Sequence, residues 1–240
     1  MWGADMSYLS RDDIEKISDR VIAQYKEIYI PERRMCYRVD VTELAAMLGY
    51  RIVYAYITKD GSILGQTSNG EVWTTIYDDN MTPLLFLLDG KIILVDKRLR
   101  DNPKSVGRMN FTIAHELAHQ LINQSHPDYC GTQNRVFCDY RRSVKTKKVT
   151  KDWYEWQADA LASALLLPLD AIQDAMFMYG LGDKVKVLSR KYSERKYHQF
   201  CEMADYLQVS RTALSYRMEQ FGLLERNRLV EEAQARKGVS

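Results

Sequence analysis

Three side chains in the stretch FTIAHELAHQLI, residues 111–122, have types and spacing suited to chemistry: His115, Glu116 and His119, in the order H-E-x-x-H. On an α-helix, residues four apart share one face, about 6 Å from each other. His115 and His119 can therefore offer imidazoles to one ion. Glu116 is swung roughly 100° around the helix from His115, poorly placed as a third ligand but able to face a water. Two imidazole ligands with a carboxylate base form the arrangement of a hydrolytic zinc site. The bland alternative is a buried helix with incidental polar residues. Two imidazoles and a carboxylate amid Ile113, Ala114, Leu117 and Ala118 are costly to bury without partners, and a metal removes that cost.

A catalytic zinc takes three protein ligands and keeps one position open. His126 is the nearest candidate for the third. It follows His119 by seven residues rather than six, and Ile122 stands where a chain-turning Gly is needed. On a continuing helix it would lie about 10 Å along the axis from His119, too far. Cys130 and Cys138 could form a separate site with His126, but their spacing matches no common zinc pattern. Glu155, in WYEWQADALASALLLP, is the better candidate. Asp159 lies four residues on and shares its face. Zinc would compensate Glu155, and an imidazole N–H of a ligand histidine would compensate Asp159. The alternative is an exposed acidic pair favoured by a helix N-terminus.

The elements that must position these residues are legible in part. Ile14, Ile17, Val21, Tyr25 and Ile28 recur at helical spacing over 12–28. DVTELAAMLG reads as a second helix, with Asp40 as N-cap, Glu43 reaching back to it, and Gly49 at the end. YRIVYAYI, the stretch around SILGQ, EVWTTIY and KIILVD lean to strand, separated by KDG, SNG and LDG. They predict a small antiparallel sheet. VGRMNFTIAHELAHQLIN and WYEWQADALASALLL are helices, the latter with Asp152 as N-cap and Pro168 as its stop. Asp170 is the expected cap of the next helix. Residues 125–151 read as an irregular insertion, in which six of the eleven residues from Arg141 to Lys151 are Lys or Arg. Helix, turn and helix follow in CEMADYLQVSRTALSYRMEQFGLL, with Ala204, Val209 and Leu214 as its core, Gln208 in the turn and Ser210 as N-cap.

The 240 residues, 46% hydrophobic and 28% charged, suit a globular protein of one large domain with or without an appendage. A net charge of +2 is too small to imply nucleic-acid binding by the whole chain. Cys36, Cys130, Cys138 and Cys201 make no C-x-x-C pair or disulfide framework. No secretory signal or membrane-spanning run is visible, so a reducing cytoplasm is expected.

FTIAHELAH followed by E-x-x-A-D-x-L-A-x-x-L-L-L-P resembles the ImmA/IrrE metallopeptidases of bacteria and their mobile elements. That family opens its helix with FTxAHELGH and supplies a third ligand from a later ExxAN-x-FAxxLLMP. VSRTALSYRMEQFGLL is similar to its C-terminal VSxxAxxxRLxxLGL. Ala118 departs from the family's Gly, and Asp159 stands where Asn is more common. The resemblance implies an α+β fold: a zincin-like metallopeptidase core over 1–180, interrupted by the basic insertion at 125–151. A mainly helical, helix-turn-helix-like region over 181–240 would follow. It implies Zn2+ held by His115, His119 and Glu155, Glu116 as catalytic base, and Asp159 behind the ligands, as in gluzincins. By the same resemblance the substrate is a specific intracellular protein, a helix-turn-helix transcriptional repressor encoded nearby, cleaved to switch on genes of a prophage, mobile element or stress response. DNA binding by the C-terminal pair is not favoured, because Glu202, Asp205 and Glu219 accompany Arg211 and Arg217. The rival reading is a non-catalytic metal-binding regulator or toxin–antitoxin component. Tyr154, Tyr192 and His198 are the side chains considered for stabilising an oxyanion.

Overall fold

A computed structural model of the protein describes residues 9–32, 36–125, 136–137 and 153–229, the pair 136–137 by backbone alone. The fold is mixed α+β. Contacts divide the chain into two compact units: Met1–Tyr25 with Asp40–Leu166, and Lys26–Val39 with Leu167–Ser240.

The first unit begins with α1 (Arg11–Tyr29), up to Tyr25. Ser10 and Asp13 cap it reciprocally: Asp13 N–H donates to Ser10 Oγ (3.2 Å), and Ser10 N–H to Asp13 Oδ2 (3.1 Å). Its buried stripe is Ile14, Ser18, Val21, Ile22 and Tyr25. Ile28, expected on that stripe, is 59% exposed. α2 (Val41–Met47) is capped by Asp40, which accepts from Thr42 N (2.9 Å) and Glu43 N (3.3 Å). Glu43 does not close the expected box. Asp40 N–H donates to Tyr25 Oη (3.0 Å), which donates in turn to Glu43 (2.8 Å). The tyrosine hydroxyl takes the place of the direct bond, and Gly49 ends the helix at φ +79°.

The sheet follows: β1 (Arg51–Ala55), β2 (Gly65–Ser68), β3 (Glu71–Tyr77), β4 (Pro83–Asp89) and β5 (Ile92–Asp96). It is not the small antiparallel sheet expected. β1 pairs with β5 in parallel, from Arg51 opposite Ile92 to Ala55 opposite Asp96. β2 joins β5 antiparallel on its other side. Parallel neighbours need a crossover; β2, β3 and β4 occupy it. β3 and β4 form a separate hairpin whose inner face meets a core of Ile57, Leu88, Ile92 and Leu94. β4 was not expected, because PLLFLLD is a continuous apolar run without the alternation that marks a half-buried strand.

After the short α3 (Lys97–Arg100) comes α4 (Val106–Ser125), buried almost all round from Thr112 to Ile122. Such a helix is a core element. It packs against β2 and against α5 (Trp153–Leu166), whose Ala158, Leu161, Ala162 and Leu165 are buried. Between them, β6 (Val136–Phe137) pairs antiparallel with β2, a strand inside the stretch read as irregular. Asp152, the expected cap of α5, lies outside the described residues.

The second unit contains α6 (Leu169–Met178), β7 (Val185–Leu188), α7 (Glu194–Tyr206), α8 (Arg211–Gln220) and β8 (Leu224–Asn227). Asp170 does not cap α6; Pro168 precedes it without a side-chain cap. Asp170 instead pairs with Lys26 and accepts from Tyr37 Oη (2.7 Å). β7 and β8 are parallel, Val185 opposite Leu224. Between α7 and α8, Gln208 adopts φ +54° in the turn, and Ser210 caps α8 by accepting from Ala213 N (3.1 Å). Ala204, Val209 and Leu214 are buried as expected. So is Arg217, at 2% exposure: its Nε donates to Leu167 O (3.1 Å) and its guanidinium lies over Phe221. Among the described residues, no single helix is long and apolar enough to cross a membrane.

Candidate metal centre

α4 and α5 bring together the four site residues read at helical spacing. His115 and His119 stand one turn apart on α4, with their Nε2 atoms 3.1 Å from each other. From the first turn of α5, Glu155 places Oε2 3.2 Å from His115 Nε2 and Oε1 3.6 Å from His119 Nε2. One ligand atom from each of the three lies within 4.8 Å of the others. Both histidines are fully buried, whereas 29% of the Glu155 side chain is exposed.

These separations suit a small cation. Two donors each about 2.05 Å from an ion, at the tetrahedral angle, stand about 3.3 Å apart. The 3.1 Å between the two imidazole nitrogens is close to that edge, and each nitrogen has its own Glu155 oxygen at a similar distance, 3.2 and 3.6 Å. The donor chemistry agrees. His115 Nδ1 lies 2.9 Å from Asp159 Oδ1. An N–H at Nδ1 donating to that carboxylate leaves Nε2 as the lone-pair nitrogen, turned toward Glu155 and His119.

Proton energetics show the same crowding. Burial works against a charge on His115, but hydrogen bonds to Asp159 and Glu155 and the nearby Glu116 charge outweigh it, raising its pKa to about 10. His119 is lowered to about 3, first by burial and then by the charge on His115. The carboxylates around His115 thus favour positive charge there, while burial disfavours it on His119. A divalent cation would supply such a charge.

Glu116 is fully buried on α4 beside the histidines. It faces β2, where Gly65 lies against Glu116 and Thr112. Sequence reasoning missed Gly65. The available signal was an isolated glycine in a strand-like segment, which marks close approach by a neighbour. His126, Cys130, Cys138 and the basic run lie outside the described residues. Tyr154 is half-buried on α5. Tyr192 and His198 belong to the second unit, where His198 Nδ1 stands 3.5 Å from Glu202 on an exposed helix face.

The family model described as the IrrE N-terminal-like domain (Peptidase_M78) matches residues 80–219, more than half of the chain. The chain belongs to this peptidase family. The match spans both α4 and α5, hence all of His115, Glu116, His119, Glu155 and Asp159, and it continues through most of α8. Membership in the ImmA/IrrE peptidases agrees with the His115, His119 and Glu155 cluster as a metal-binding triad. Among curated proteins, none matches the chain.

Proposed function

We propose that this member of the ImmA/IrrE peptidases is a zinc-dependent endopeptidase with a zincin-like core. The observation that carries this reading is the convergence of His115, His119 and Glu155, one ligand atom from each within 4.8 Å of the others, with a buried carboxylate, Glu116, on the helix that carries the histidines. A cluster that only held the fold together would have no use for that carboxylate.

Bound by these three residues, zinc would polarise the scissile carbonyl and make water a stronger acid. Asp159 fixes the His115 ring with Nε2 toward Glu155 and His119, where it would hold the ion. Glu116 takes a proton from the attacking water through a carboxylate oxygen. The water oxygen bonds to the carbonyl carbon, the C–N bond breaks, and Glu116 returns the proton to the leaving amine nitrogen. The products are a carboxylic acid and an amine, which become carboxylate and ammonium when the second water proton passes from the one to the other.

By family resemblance, the substrate is an intracellular helix-turn-helix repressor, and its cleavage regulates transcription. The α7–α8 pair serves protein contacts rather than DNA reading in this proposal. Arg217, one of the two basic residues that a groove-reading α8 would present, is buried against Leu167 and Phe221.

Two measurements test the reading. Metal analysis of purified protein should give one zinc per chain, lost on Glu155→Ala. Glu116→Gln should retain the zinc and abolish cleavage of the repressor encoded beside the gene. Full cleavage by Glu116→Gln would rule out hydrolysis by this route.

A further inference from the structure

β2 is fastened to the helix that carries the histidines. Gln120 Nε2 donates to Thr67 Oγ1 (2.6 Å) and Ser68 O (2.7 Å). One turn earlier on α4, where Glu116 and Thr112 share a face, the strand offers Gly65. A Cβ built on Gly65 would stand 2.6 Å from Glu116 Oε1, 2.6 Å from Thr112 Cγ2 and 3.0 Å from Glu116 Cγ. Ordinary contacts begin at 3.4 Å. Gly65 is not among the glycines with positive φ, so its backbone has no need of glycine. A glycine inside a strand weakens it. Space for the α4 side chains is the remaining reason for it here.

We infer that Gly65 is a positioning residue: its missing side chain sets where the Glu116 carboxylate rests beside the His115, His119 and Glu155 cluster. The catalytic consequence rests on the hydrolytic reading proposed above; the packing consequence does not. An added methyl must push the Glu116 oxygen away by about 0.8 Å to restore ordinary contact, and misplacement of about 1 Å costs on the order of 10²-fold in rate. Gly65 touches none of the three proposed ligands through this contact, so metal stoichiometry is unaffected.

The test separates the two consequences. All variants are made in a Thr112→Ser background, which removes Cγ2 and leaves Glu116 as the short contact. Thermal unfolding of the metal-free protein is followed for Gly65→Ala, Glu116→Ala and the double variant. Gly65→Ala should lower Tm by about 2–12 °C, and by less than half as much once Glu116 is alanine. If Gly65→Ala alone does not fold, recovery of folded protein in the double variant reports the same coupling. The full chain is then loaded with Co2+, and its visible spectrum is recorded. Gly65→Ala should bind one Co2+ per chain and shift the bands in the direction that Glu116→Gln shifts them. Equal Tm losses with and without Glu116, or an unchanged spectrum, overturn the inference. Failure of the chain with Gly65 intact to bind Co2+ would instead count against the metal reading, leaving the packing role standing on the Tm cycle.

Discussion

Removing Glu155 is the most direct perturbation of the metal centre, and its size can be worked out in advance. A cation that binds only the folded chain at a hundred times its Kd adds about 2.7 kcal/mol of stability. For chains of 150–250 residues, each kcal/mol moves Tm by about 2–4 °C. Zinc should therefore raise the Tm of the first unit by about 5–11 °C, and a chelator should reverse the shift. Glu155 supplies the only carboxylate among the three proposed ligands, 3.2 and 3.6 Å from the two imidazole nitrogens. Loss of a residue that only orients a ligand weakens metal binding by about 10- to 100-fold, so loss of a ligand should cost at least the upper figure. At the same free zinc, a 100-fold weaker site sits at its own Kd and gains only about 0.4 kcal/mol, or about 1–2 °C. The assay is differential scanning fluorimetry of the intact protein and of Glu155→Ala, each at matched buffered zinc and after chelation. If Glu155→Ala keeps the full zinc-induced shift, the third ligand has been misassigned. If the intact chain shows no shift with zinc, the donor geometry has been misread.

Asp159→Ala should weaken zinc binding by about 10-fold, the low end of the range for orienting residues, because half of this side chain is exposed. Asp159→Asn, which keeps an acceptor for His115 Nδ1, should lose less; competition with a chromophoric chelator measures both. Tyr25→Phe should destabilise the first unit by about 1–3 kcal/mol in urea, since it strips Asp40 N–H and Glu43 of the hydroxyl that joins them. Although burial opposes it, pairing with Lys26 and Tyr37 lowers the pKa of Asp170 below its ordinary value of 3.8. A lowered carboxylate stabilises the fold above its unfolded pKa, and that stability is lost as pH falls through the folded pKa. The acid limb of the pH–stability curve should therefore be shallower in Asp170→Asn, as read by circular dichroism; an unchanged limb would show that the pair contributes nothing.

The legible parts of the protein were those whose cause is local. α1 follows from apolar spacing, α2 from Asp40 and Gly49 at its ends, α4 from a run without Pro or internal Gly after Gly107, and α5 from an Ala- and Leu-rich run stopped by Pro168. The clustering of His115, His119, Glu155 and Asp159 was legible for a related reason: it consists of two i, i+4 pairs, one on each helix. Features depending on distant partners were not. The parallel pairing of β1 with β5 joins segments about 40 residues apart, and nothing in either strand states its direction. β8 reads Leu-Glu-Arg-Asn, too short and polar to show a pattern. Glu43 and Asp170 had the right types for local caps, but Tyr25 and Lys26 reach them from elsewhere in the chain. Gly65 owes its importance to a helix 51 residues away, and only its isolation within a strand hinted at the contact.

The two halves of the metal centre, on α4 and α5, are joined by the stretch from 126 to 152. Closing a chain segment costs entropy that grows only with the logarithm of its length, so doubling that stretch would cost about 0.6 kcal/mol. That is less than half of the roughly 1.4 kcal/mol equivalent to a tenfold change in affinity. An ion held by these ligands would thus be nearly indifferent to how much chain lies between them. Length can be added on either side of β6 at little cost while both helix faces stay as they are.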